Sequence, residues 1–338
     1  MAVSKRSSLE YILLFIAVAL LVIPNIVTAS EACYDDKYFP HAIKLTETSD
    51  GIEVVLGGIY AKNCEGPVAN IIVPIIVWQK NNIWKNPGER KSGRCDSLQK
   101  RKCPIKMTDW PKALPTEFCK GTRNYKSCLE YAHNGEEASS CVITKDSVWF
   151  GINFYEGEGY FGYGGLGRYD RKTDVVDVRR LPALKEYAIH QVAWDGRNIW
   201  AATTNNYECT GHEPALGLIK YDWEKDTLTT YKDTETGPCG FIINELLWSQ
   251  GSLWVATDVG VSRWDAGQDK WIHYLPDIKP PYAVVVSEGS CDVFYKSILD
   301  SLTKEKIYLG GPESPYSFFY NYLRKFRPDF MKRYETKQ

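Results

Sequence analysis

No CxxC spacing occurs anywhere in this 338-residue chain, and no CxxCH either. The first absence removes the ligand spacing of a zinc ribbon, and the second removes covalent c-type haem. Neither sign of charge prevails. The 41 Lys and Arg stand against 42 Asp and Glu, a formal net charge of −1. A chain so balanced exerts no global pull on nucleic acid or anionic lipid. Beyond residue 30 no apolar run is long enough for a bilayer span. The longest, Ile71 to Trp78, contains Pro74 and reads as a buried strand. A full catalytic constellation is also missing, and neither a cofactor nor a metal is expected.

The amino terminus is patterned for export. Lys5 and Arg6 precede an apolar run from Ile12 to Val27, broken only by Pro24 and Asn25. Thr28, Ala29 and Ser30 follow, giving the charged, apolar, small-residue order of a signal peptide over residues 1–29. Cleavage before Ser30 leaves 338 − 29 = 309 residues, with no stable membrane span. An uncleaved anchor is the competing reading. All ten cysteines lie in the later part: Cys33, Cys64, Cys95, Cys103, Cys119, Cys128, Cys141, Cys209, Cys239 and Cys291. An even count in an exported chain reads as a disulfide framework, whose connectivity spacing alone does not give.

Internal repeats dominate what remains. Segments beginning at Asp146, Gly196 and Gly251 each carry a Trp strand, a variable loop, then Gly-Leu or Gly-Val, a basic residue, an aromatic and Asp. The Trp anchors are Trp149, Trp200 and Trp254, at spacings of 51 and 54. A further step of 54 reaches Tyr308 in KEKIYLGG, followed by YLRKFRPDFMKRY, which reads as a closing strand pair. Upstream, GIEVVLGG and IIVPIIVWQKNNIWK read as a degenerate copy. A period near 50 with several short strands each is the mark of a β-propeller, because a small sheet cannot bury both faces alone. The second clear copy divides into strands at Ala188–Trp194, Asn198–Thr203, Gly217–Asp222 and Thr227–Tyr231. The fold class expected is all-β: a β-propeller over residues 30–338 with five, possibly six, four-stranded blades. Residues 87–138 form a cysteine-rich insertion. From Arg94 to Lys126 that insertion carries nine Lys or Arg against three acids.

The strands Trp200-Ala-Ala-Thr and Trp254-Val-Ala-Thr, with the triplets Arg168-Tyr169-Asp170, Lys220-Tyr221-Asp222 and Arg263-Trp264-Asp265, resemble two-component-regulator propeller repeats. The resemblance covers about residues 139–275. It implies the extracytoplasmic sensing part of such systems, without the kinase. The triplets themselves read as structural: the aromatic packs between blades and the Asp caps the next turn.

In an up-and-down blade, the second-to-third-strand loop and the inter-blade connection share one face. The long loops expected at Tyr60–Val68, Phe154–Gly165, Asn205–Ala215 and Gly311–Ser317 all fall there, suggesting a built recognition surface. Cys209 and Cys239 lie in adjacent connections on that face and are expected to pair. Tyr160 and Tyr163 offer stacking groups in the Gly-rich loop. Its G-x-G-G-x-G string precedes a strand rather than a helix, which excludes a phosphate cradle. His212 and Glu213 sit beside Cys209. Aligning YAIHQVAW with FIINELLW sets His190 opposite Asn244 and Gln191 opposite Glu245, near the channel mouth. The ligand-binding candidates are His190, Asn244, Glu245, Tyr160, Tyr163, His212 and Glu213. The expected function is a periplasmic or secreted binding module facing a polysaccharide, peptide or protein partner at the cell envelope, with no nucleic-acid role. The alternative is a propeller lyase or hydrolase using the same acid and base groups.

Overall fold

The computed structural model describes residues 38–49, 51–60, 72–79, 83–85, 136–156, 159–185, 187–205, 216–231, 236–240, 242–279, 283–304, 323–324 and 327–336, with positions 120 and 126. They form four antiparallel sheets, each a meander of consecutive strands. The first holds β1 (Tyr38–Thr48), β2 (Gly51–Tyr60), β3 (Ile72–Gln79) and β4 (Ile83–Lys85). The second holds β5 (Glu136–Ile143), β6 (Ser147–Glu156), β7 (Gly159–Asp170) and β8 (Val175–Arg180). The third holds β9 (Tyr187–Trp194), β10 (Asn198–Asn205), β11 (Leu218–Asp222) and β12 (Thr227–Tyr231). The fourth has five strands: β13 (Ile243–Ser249), β14 (Ser252–Thr257), β15 (Val261–Asp265), β16 (Lys270–Lys279) and β17 (Ala283–Glu288). Two helices follow, α1 (Cys291–Lys304) and α2 (Pro328–Glu335).

The strand boundaries expected for the second clear repeat match β9–β12 to within two residues. The turn chemistry accounts for this. Asp195 accepts backbone N–H bonds from Arg197 and Asn198, and its second oxygen accepts the Trp200 indole N–H at 2.9 Å. The last hairpin of each repeat is capped by the triplet Asp. Asp170 accepts from the N–H groups of Lys172 and Thr173, and Asp265 from those of Gly267 and Gln268. Each of these turns ends on a left-handed Asp: Asp174, Asp226 and Asp269, with φ of 58°, 55° and 51°. These two backbone N–H bonds hold the Asp170 carboxyl below its ordinary range.

The basic residue of each triplet has a role too. Trp149, Trp200 and Trp254 pair directly across the ladder with Arg168, Lys220 and Arg263. In each pair the cation lies over the indole, at 5.3, 5.1 and 5.6 Å from a ring centre. Such a contact contributes about 0.5–2 kcal/mol, depending on its desolvation. The repeat consensus is therefore a cross-strand cation–π pair followed by a capped turn.

The sheets pack face to face in an order that differs from chain order. Trp149, Leu166 and Leu184 pack with Ile189, Ile199 and Tyr221 between the second and third sheets. Trp200, Ala202 and Leu218 pack with Ile243, Leu253 and Val255 between the third and fourth. Ala42, Leu45, Ile52, Val54 and Leu56 pack with Trp254, Ala256, Val261 and Tyr274, so the first sheet lies against the fourth. The spatial sequence is second, third, fourth, first. Glycine permits two close approaches in the second sheet. A Cβ on Gly151 would sit 2.4 Å from the Ile189 side chain, and one on Gly167 would sit 2.1 Å from the Phe150 ring.

Two expectations are corrected. Four sheets are present among the described residues, where five or six blades were expected over the whole chain, and the fourth carries an extra strand. The segment expected to close a further blade is helical from Pro328, because Phe330, Met331 and Tyr334 bury one helical face. Tyr308 lies outside the described residues. The Phe154–Gly165 segment is a continued hairpin rather than a long loop, with Tyr155 paired to Tyr160 and Glu156 to Gly159. Residues 1–29 lie outside the described residues, as does residues 87–138 apart from positions 120, 126 and the start of β5.

Candidate functional site

The first strand of every sheet carries a β-bulge at the same place. The residues inserted opposite the ladder are Ile43 in β1, Ser139 and Ser140 in β5, His190 in β9 and Asn244 in β13. A bulge re-aims a side chain that would otherwise follow the pleat. Here it aims each polar side chain at the first strand of the neighbouring sheet. Ser139 Oγ donates to the Ile189 carbonyl, one residue before the next bulge. His190 Nε2 donates to the Ile243 carbonyl, again one residue before the next bulge. Asn244 Nδ2 donates to the Ala42 carbonyl at 2.7 Å, in the same relation to Ile43.

A second contact runs in the opposite direction. Ser140 Oγ accepts the Val192 N–H at 3.3 Å, and Glu245 Oε2 accepts the Leu45 N–H at 2.8 Å. Each first strand is a sheet edge whose backbone groups need partners. The polar pairs at the bulges supply them in a repeated pattern.

The expected candidates therefore divide. His190, Asn244 and Glu245 come together as one series of inter-sheet bonds along adjacent first strands. Tyr160 and Tyr163 lie in the outer half of β7, near the hairpin tip. His212, Glu213 and Cys209 lie outside the described residues. The expected pairing of Cys209 with Cys239 is corrected: Cys239 is bonded to Cys291, 52 residues on, with Cα atoms 5.5 Å apart. The reason is the helix α1. Its Tyr295 hydroxyl accepts the Gly240 N–H at 3.0 Å, which brings the first residue of α1 beside Cys239. Cys141 is also disulfide-bonded.

Two features had no signal in the sequence. His273 on β16 lies beside the Cys239–Cys291 bond, one ring nitrogen and both sulfurs falling within 4.8 Å of one another. Its Nδ1 is 3.0 Å from the Ser262 hydroxyl, which also accepts the Cys239 N–H at 2.9 Å. Burial lowers the His273 pKa to about 4, so the imidazole is neutral at neutral pH. The other feature is Asn153 on β6. Its side chain is fully buried, and among the described residues neither amide atom has a hydrogen-bond partner. It lies two ladder rows beyond the β5 bulge, on the side of the β6–β7 tip.

No family model matches the chain, and no curated protein matches it. Among solved structures it is similar to the extracellular domain assigned to a one-component system, BT4673, of B. thetaiotaomicron. That match has 12% identity and a TM-score of 0.29, over 73% of this chain and 29% of the other. An extracellular domain assigned to the hybrid two-component system BT4673 matches at 11% identity and a TM-score of 0.28, over 74% and 37%. The chain spans about a third of the length of these structures. Among the described residues no helix is long and apolar enough to cross a membrane.

Proposed function

We propose that this chain is an exported β-propeller binding module whose loop face takes a polysaccharide, peptide or protein partner. The propeller reading is supported by the position of the first sheet against the fourth and by the repeated bond pattern along the first strands. The four described sheets would be consecutive blades. The disulfides support export, since such bonds persist in oxidising compartments.

One observation favours binding over catalysis. His190 and Glu245, the groups best placed by sequence to act as acid and base, both engage the main chain of a neighbouring first strand. A general acid or base must reach the proton it transfers. Residues that hold sheet edges together are committed to the scaffold instead. Asn153 adds support for a polar ligand or bound water near the β6–β7 end. A buried amide without a partner costs about 1–3 kcal/mol, a penalty that a hydrogen-bonding guest would relieve.

The test is a thermal-shift screen of the oxidised chain against oligosaccharides, peptides and extracts of cell-envelope polymers. A guest that binds only the native state raises the melting temperature by mass action. The expected result is a shift with one chemical class, diminished by Tyr160→Ala, Tyr163→Ala or His212→Ala. A shift unaffected by all three variants would place binding elsewhere and overturn the loop-face reading.

A further inference from the structure

The imidazole of His273 stands against the Cys239–Cys291 bond. One imidazole nitrogen of His273 and the two sulfurs lie mutually within 4.8 Å. Tetrahedral zinc places its sulfurs about 2.3 Å and its imidazole nitrogen about 2.0 Å from the metal, so ligand atoms sit about 3.5–3.8 Å apart. The cluster is therefore already gathered to near ligating distances. Only the two sulfurs must separate, by side-chain rotation on a backbone whose Cα atoms are 5.5 Å apart. Both cysteines are buried. The ring is oriented by the Ser262 hydroxyl, itself fixed by the Cys239 N–H. Hydrogen-bonded support of this kind is what ligating histidines require.

We propose that Cys239, Cys291 and His273 form a redox-gated zinc site. A dithiol reduces the Cys239–Cys291 bond, yielding two thiols here and a disulfide in the reductant. One zinc ion then displaces the two thiol protons and binds two thiolates and the neutral imidazole. No fourth Cys, His, Asp or Glu joins the cluster among the described residues. The fourth position is left to water or to a small ligand, the arrangement of a reactive rather than a closed structural zinc. A low-molecular-weight disulfide, itself reduced to two thiols, would take up the two electrons, expel the ion and re-form the bond. The site has a structural reach, since it ties α1 to the connection before β13. It lies in an inter-blade connection, but its zinc chemistry does not rest on the loop face binding a partner.

The test uses the full chain, because eight further cysteines confound a bulk zinc count. The protein is reduced with a dithiol, desalted without air, and alkylated with iodoacetamide with and without zinc chloride. Peptide mass spectrometry then reads each cysteine separately. The expected result is that zinc slows alkylation of Cys239 and Cys291 together by about tenfold or more, and that His273→Ala removes most of this protection. Equal alkylation of both cysteines with and without zinc in the wild-type chain would overturn the proposal. So would full protection in His273→Ala. Should that variant misfold, the zinc X-ray absorption edge of the reduced Cys-to-Ser variant lacking the other eight cysteines decides. Two sulfur neighbours with a nitrogen support the site, and a shell of oxygens overturns it.

Discussion

The Asn244 side chain donates to the carbonyl of Ala42, a residue 202 positions earlier in the chain. This bond fastens the fourth sheet to the first, so part of the stability of the amino-terminal sheet depends on one amide. Asn244→Ala should destabilise the protein by about 1–3 kcal/mol, the usual cost of an orphaned buried partner. Asn244→Asp should cost more above the carboxylate titration range, because a charged oxygen would then face a carbonyl. Urea denaturation of both variants measures the loss. Hydrogen exchange should locate it in β1.

The left-handed Asp residues differ in what they hold. Tyr169 and Tyr221 donate their hydroxyls to Asp174 and Asp226. Trp264 occupies the equivalent position in the fourth sheet and has no hydroxyl to offer Asp269. Left-handed backbone costs a non-glycine residue about 1–2 kcal/mol, so Asp269→Gly should stabilise the fold by a sizeable part of that. Asp174→Gly and Asp226→Gly should gain less, since each loses a tyrosine bond. Melting temperatures of the three variants test the ordering.

His273 makes a pH prediction. An unfolded imidazole titrates near 6.5, whereas burial lowers this one to about 4. The native state therefore binds fewer protons between those values. Its contribution is fully present above about pH 6.5 and is lost as pH falls toward about 4. Acid destabilisation over that window should be shallower in His273→Asn than in the wild type. Urea midpoints at about pH 7.5 and about pH 4.5 give the comparison. Equal differences in the two proteins would remove His273 from the explanation.

The Phe150 ring lies where a Cβ on Gly167 would go. Gly167→Ala should cost about 1–3 kcal/mol by overpacking. Phe150→Leu should recover part of this in the double variant, because the two sites share one space. Additive losses would show that the clash is relieved elsewhere.

Much of the sheet structure was legible because its signals are local. The Asp-capped hairpins and the Trp strands each declare themselves within a few positions, and their recurrence about every 50 residues shows the repeat. The function of the basic triplet residue was not legible, since a cation over an indole depends on cross-strand register. The inter-sheet bonds of the polar residues in the first strands were not legible for the same kind of reason. His190 and Glu245 look like chemistry in a line of text, and only the bulges show them reaching into an adjacent sheet. Cys239 seemed nearest to Cys209 by loop order, but its partner is set by where α1 docks. The end of the chain did carry a readable signal. Pro328 stands at a helix start with Asp329 in the first turn and Lys332 and Arg333 in the last, a helical pattern that the repeat spacing overrode. His212, Glu213 and Cys209 lie outside the described residues, so their placement gives no comparison.

The most direct test of the binding account joins affinity to product analysis. A ligand found by thermal shift would be titrated by calorimetry, then recovered after prolonged incubation and examined by mass spectrometry. The account expects saturable binding with the ligand recovered intact, by wild type and by His190→Gln alike. Cleavage of the ligand, abolished by His190→Gln or Glu245→Gln, would contradict it and establish the enzyme instead.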